Sequence, residues 1–128
     1  MKNKKETILV PHDFTNVGDY ALENALVISQ EMQNEIIILH IVKKASEVRD
    51  AENKCKEISE KFFAEHFIKP KYLVKTGSIF HDIGEVAKET SANLVVMGTH
   101  GVKGMQKLTG SWALKVIVSS TVPFIIVQ

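Results

Sequence analysis

Short, largely apolar runs alternate along this chain with longer segments whose apolar residues recur every three or four positions. That alternation constrains the fold more than any single residue. The short runs predict buried strands over Thr7 to Val10 (closed by Pro11), Ile36 to Val42, Lys71 to Lys75, Asn93 to Met97 and Val122 to Val127. The longer segments predict helices over Gly18 to Met32, Ser46 to Phe67, Ile79 to Glu89 and Ser111 to Ser119. In the second helix the apolar stripe is Val48, Ala51, Cys55, Ile58 and Phe62. Strands alternating with helices form a parallel sheet covered on both faces. Right-handed crossovers then leave few topologies. The expected fold is α/β: a doubly wound five-stranded parallel sheet, order 3-2-1-4-5, with two helices on each face.

In such a sheet the winding reverses between strands 1 and 4, and ligands bind beyond the carboxyl ends of those strands. Two loops are thereby singled out. The first carries Pro11, His12, Asp13, Phe14, Thr15 and Asn16. Asp13 stands where an acceptor meets a ribose hydroxyl or a base amine; turn formation or helix capping is the alternative use of such a residue. The second loop runs from Gly98 to Ser111, with four glycines, Gly98, Gly101, Gly104 and Gly110. Glycines let backbone amides approach a ligand. The helix that should start at Gly110-Ser111 offers free amides and a favourable dipole to phosphate, and Lys103 and Lys107 add cations. Neither a P-loop nor a dinucleotide fingerprint is present.

Composition narrows the function classes. With 128 residues, 45% of them hydrophobic, one domain spanning residues 1–128 is expected. The net charge of +1 supplies no field for nucleic acid or an anionic membrane. A lone cysteine, Cys55, rules out an internal disulfide. No run approaches the ~20 apolar residues of a membrane span, so the cytoplasm is the expected compartment. Cys55, though flanked by Lys54 and Lys56, sits in the apolar stripe and reads as a small core residue. His12, Asp13 and His100 invite a metal or catalytic interpretation; shaping the pocket through loop hydrogen bonds is the other role for the two histidines. His40 reads as a satisfied core residue, and His66 and His81 as solvated or capping. Ser111 lacks a nucleophile elbow, and Trp112 is either a lid or an interface anchor.

At these residues the chain resembles the universal stress protein family over nearly its whole length. Ile8-Leu9-Val10-Pro11-His12-Asp13-Phe14-Thr15 is similar to that family's first strand and its aspartate. Leu39-His40-Ile41-Val42 is similar to its second strand end, and Val122-Pro123-Phe124-Ile125-Ile126-Val127 to its last strand. Val95-Val96-Met97-Gly98-Thr99-His100-Gly101 is the most recognisable segment. The resemblance implies an ATP site, with Mg²⁺ as companion ion. Asp13, beside Pro11 and His12, would meet the ribose or adenine, and Ile41 would pack near the base. Met97, Gly98 and Gly101, with His100, would line the sugar and phosphate path. Gly110, Ser111 and the amide of Trp112 would hold the phosphates. The chain departs from the family's pattern in three respects: eight residues, Val102 to Thr109, separate Gly101 from Gly110, one fewer than in the family; Trp112 stands where a small or aliphatic residue is usual; and His12 replaces the usual small residue before the aspartate.

Three functions follow as expectations. The first is a stress-response or regulatory protein that binds adenine nucleotide (ATP or AMP), without robust catalysis. It would act as a homodimer through the edge strand Val122 to Val127, with a regulatory protein partner. The second is a nucleotide-independent interaction module of the same fold, which the shortened loop favours. The third, a slow ATPase or nucleotidyl-transfer enzyme, has no evident general base.

Overall fold

The computed structural model describes residues 6–98 and 121–127. Five parallel strands lie in the order β3-β2-β1-β4-β5: β1 (Thr7–Pro11), β2 (Glu35–Val42), β3 (Lys71–Thr76), β4 (Ala92–Gly98) and β5 (Phe124–Val127). Between them run α1 (Asn16–Met32), α2 (Val48–His66) and α3 (Ile79–Glu89). The β1–β2 ladder runs from Thr7 opposite Glu35 to Pro11 opposite Leu39. The β1–β4 ladder shifts register between Thr7 and Ile8. The expected strand order is therefore the observed one. The fourth helix expected over Ser111 to Ser119 lies outside the described residues.

Strand alternation sorts the apolar side chains onto two faces. Ile8, Val10, Ile36, Ile38 and Val96 meet Ala21, Leu22, Ala25 and Leu26 of α1 and Cys55 and Phe62 of α2. Leu9, Ile37, Leu39, Val95 and Met97 meet Ile83, Val86 and Ala87 of α3. Both faces are buried, as a parallel sheet requires, so α1 and α2 cover one side and α3 the other. That division leaves the carboxyl ends of β1, β2 and β4 facing a space beside the first turns of α1 and α3.

Several details differ from the sequence expectation, among them the starts of α1 at Asn16 and of β4 at Ala92. The segment after β2 opens with a 3₁₀ turn, Ala45–Glu47, before α2 begins at Val48. The stripe of α2 includes a polar member, Ser59, which is 1% exposed. Its hydroxyl donates to the Pro70 carbonyl at 2.6 Å, which removes the cost of burying it. The last strand begins at Phe124 rather than Val122. Pro123 has no N–H to donate; its carbonyl instead accepts from the Val95 amide at 2.9 Å.

The first turn of α3, which borders the site, is held by Asp82. Its carboxylate accepts from the Ser78 amide at 2.6 Å. That bond holds the Asp82 carboxyl below its ordinary value of 3.8, helped by His81 and Lys75 and opposed by partial burial. A carboxyl depressed in the folded state stabilises it above the unfolded value, and the gain is lost as pH falls through the folded value. Asp82→Ala should therefore cost about 1 kcal/mol at neutral pH, the usual worth of a cap, and nothing at pH well below 3.8. Urea unfolding at the two pH values checks this.

Candidate functional site

At the carboxyl ends of β1, β2 and β4 the described residues enclose a cavity of about 220 Å³. Pro11, His12 and Asp13 border it from the β1 end, Leu39, His40 and Ile41 from β2, and Met97 and Gly98 from β4. Gly18 of α1 and Ile79 and Ile83 of α3 complete the lining. Its lining is mainly aliphatic, with the Asp13 carboxylate and the His12 and His40 imidazoles as its polar side chains, a composition suited to a largely apolar ligand body oriented by a few polar groups.

Six of the residues singled out from sequence thus come together: Pro11, His12, Asp13, Ile41, Met97 and Gly98. The others, His100, Gly101, Gly110, Ser111 and Trp112, lie outside the described residues. Five lining residues escaped sequence reasoning. Leu39 was within reach of it, because it shares a strand face with Ile41 and β2 neighbours β1. Ile79 and Ile83 required knowing where the first turns of α3 sit above the sheet. The sequence points to a core place for His40 and a helix start for Gly18, and the structure puts both in the lining.

Gly98 brings β4 against the first turn of α1. A Cβ built on it would lie 2.2 Å from Cγ1 of Val17 and 3.3 Å from the Val17 carbonyl oxygen. Only glycine allows that approach.

Asp13 is fixed by the turn it sits in. Its Oδ1 accepts from the Thr15 amide at 3.0 Å and from the Thr15 hydroxyl. Thr15 is the N-cap residue of α1, yet its side chain makes no cap bond. The hydroxyl that would ordinarily serve the helix is given to Asp13. Both bonds engage Oδ1; among the described residues Oδ2 has no hydrogen-bond partner. The turn alternative therefore describes one carboxylate oxygen and leaves the other for a ligand.

His12 is 4% exposed. Its Nδ1 accepts from the Phe14 amide at 2.9 Å, which leaves Nε2 protonated to donate to Asp19 Oδ1 at 3.0 Å. The imidazole is thus committed within the protein. His40 donates from Nδ1 to the His12 carbonyl at 2.7 Å and stacks on Phe14 with ring centres 3.9 Å apart. Burial pushes the His40 imidazole below its ordinary 6.5, against the pull of the bond to His12. Among the described residues no group of three or more His, Cys, Asp or Glu could hold a metal ion, and no helix is long and apolar enough to cross a membrane.

Cys55 is fully buried. Burial, with Glu52 nearby, pushes its thiol up to about 11, so the reactive thiolate is scarce at neutral pH. Iodoacetamide at pH 8 should leave Cys55 unmodified in the folded protein and alkylate it once the chain is unfolded in denaturant, as read by mass spectrometry. Rapid labelling of the native chain would contradict the packing.

The universal stress protein family model matches residues 5–128. The universal stress protein YxiE of Bacillus subtilis is 27% identical over 144 residues, covering 94% of this chain and 97% of that protein. Among solved structures, the universal stress protein UspA from Lactobacillus plantarum superposes with a TM-score of 0.80 at 19% identity, over 99% of this chain and 100% of that one. A universal stress protein from Archaeoglobus fulgidus, solved in complex with dAMP, superposes with a TM-score of 0.77 at 16% identity, over 99% of this chain and 100% of that one.

Proposed function

This chain belongs to the universal stress protein family, and from that premise we propose that it is a stress-response or regulatory protein that binds an adenine nucleotide. The observation that carries the proposal is the meeting of Asp13, Ile41, Met97 and Gly98 around one cavity at the switch point of the sheet. The aliphatic surfaces of Ile41, Ile79 and Met97 suit the base. The Asp13 carboxylate suits a ribose hydroxyl, through a charge-assisted hydrogen bond. The phosphates fall to Gly101, Gly110, Ser111 and Trp112 on the strength of the family resemblance. Binding of dAMP by the structural neighbour from Archaeoglobus fulgidus supports the ligand class. ATP, with or without Mg²⁺, and AMP are the proposed occupants. The protein acts by binding rather than turnover, in the cytoplasm. A homodimer through β5 is part of the proposal, supported by the position of β5 at the sheet edge and by Ile125 at 38% exposure. A regulatory protein partner completes it.

The eight-residue interval between Gly101 and Gly110 favours a second reading, an interaction module that does without nucleotide. Calorimetric titration with ATP and with AMP, each with and without Mg²⁺, separates the two. Saturable heat with one bound nucleotide per chain is expected. No heat and no thermal shift at millimolar nucleotide would leave the interaction module.

A further inference from the structure

Asp13 stands between two residues whose freedom is spent. All four polar atoms of His12 are engaged. Its amide donates to the Leu39 carbonyl at 2.8 Å, and its carbonyl accepts from His40 at 2.7 Å. Its Nδ1 accepts from the Phe14 amide, and its Nε2 donates to Asp19. On the other side of Asp13, Phe14 holds φ at 66°, a left-handed conformation that costs a bulky residue about 1 kcal/mol or more. Its amide bond to His12 Nδ1 and its stack on His40 hold it there, with Lys54 Nζ over the ring and the core packed beside it. Space is arranged for the imidazole as well. A Cβ on Gly18 would lie 2.7 Å from its ring atoms, so α1 passes close to the ring only because residue 18 has no side chain.

We propose that His12 is a positioning residue for the nucleotide site: its Nδ1, by accepting the Phe14 amide, fixes the backbone that aims the Asp13 carboxylate at the ligand. The proposal rests on Asp13 meeting a nucleotide and names the device that holds it in place. Nδ1 carries this role because it bonds the backbone on the far side of Asp13. Nε2 anchors the ring to α1 through Asp19, whose side chain is half exposed. The two nitrogens have separable functions, and two amide side chains imitate one each. Asparagine places an acceptor oxygen where Nδ1 lies. Glutamine places a donor nitrogen near Nε2 but offers nothing to Phe14.

The test is AMP affinity by calorimetry on wild type, His12→Asn and His12→Gln, alongside melting temperature and hydrogen exchange at the Phe14 amide. Both variants lose the ring and both should melt lower. His12→Gln should bind AMP about tenfold more weakly and exchange the Phe14 amide faster, as expected when a buried donor loses its acceptor. His12→Asn should keep affinity within about threefold, because the acceptor is restored. Asp19→Ala removes the acceptor of His12 Nε2 but leaves the Nδ1 bond to Phe14, and should weaken AMP binding by only about threefold; it serves where a His12 variant is too unstable to measure. Equal affinity in all of them, or losses that follow melting temperature alone, would overturn the positioning role while leaving the site intact. If wild type binds no AMP, the reading of the site fails and this inference fails with it.

Discussion

Gly98→Ala is expected to destabilise the protein by about 2 kcal/mol, the usual cost of forcing one more carbon into a packed site, and to distort the mouth of the cavity at the same time. The new methyl would meet Cγ1 of Val17 at 2.2 Å. Val17 is β-branched and helical, so it has little rotamer freedom with which to move aside. Its carbonyl oxygen, 3.3 Å away, limits how far α1 can settle back. Val17→Ala removes Cγ1 and should restore most of the loss when combined with Gly98→Ala. Denaturant unfolding of the single and double variants checks this. A coupling energy above about 1 kcal/mol is expected for side chains in direct contact. Additive effects would mean that the close approach of β4 to α1 is not what excludes a side chain at position 98.

Asp13→Ala should weaken adenine-nucleotide binding about ten- to a hundredfold, the worth of one charge-assisted hydrogen bond. Stability should change far less. The substitution removes the acceptor of the Thr15 amide and hydroxyl. It also frees that hydroxyl to cap α1, where a cap is worth about 1 kcal/mol. Asp13→Asn separates charge from turn geometry. Its side-chain oxygen can still accept from Thr15, while an NH2 replaces the second carboxylate oxygen, so a loss of affinity in that variant comes from the missing charge and acceptor rather than from the turn. Calorimetry for affinity and thermal melting for stability give the two readings. An Asp13→Ala protein that melts much lower and binds as before would assign Asp13 to the turn alone.

The strand order was legible because it depends on signals that the chain carries locally. Ile36 to Val42 is nearly all apolar and rich in branched residues, so it belongs at the centre of a parallel sheet. The apolar steps of α1 and α2 likewise name the faces they bury. Once the order is known, the switch point names Asp13 and Gly98 without further help. The residues that escaped are those whose roles arise from contact between elements. Nothing in the local sequence says that Gly18 makes room for the His12 imidazole, or that Thr15 gives its hydroxyl to Asp13 rather than to its helix. Phe14 is a poor choice for a left-handed residue by propensity; the His12 and His40 rings, with Lys54 over its ring and the core beside it, explain it. The start of β5 shifted for a simpler reason. Pro123 has no N–H to donate to the ladder, so regular pairing waits for Phe124.

The central claim is that an adenine nucleotide occupies the cavity bordered by Asp13, Ile41, Met97 and Gly98. Amide chemical-shift mapping of the isotope-labelled protein during titration with AMP tests it most directly, because it reports the place of binding as well as its occurrence. The account predicts saturable shifts at Asp13, Phe14, Ile41, Met97 and Gly98, with the exposed face of α2 unmoved. Absence of shifts at millimolar AMP, or shifts confined to residues away from the carboxyl ends of β1 and β4, would contradict it.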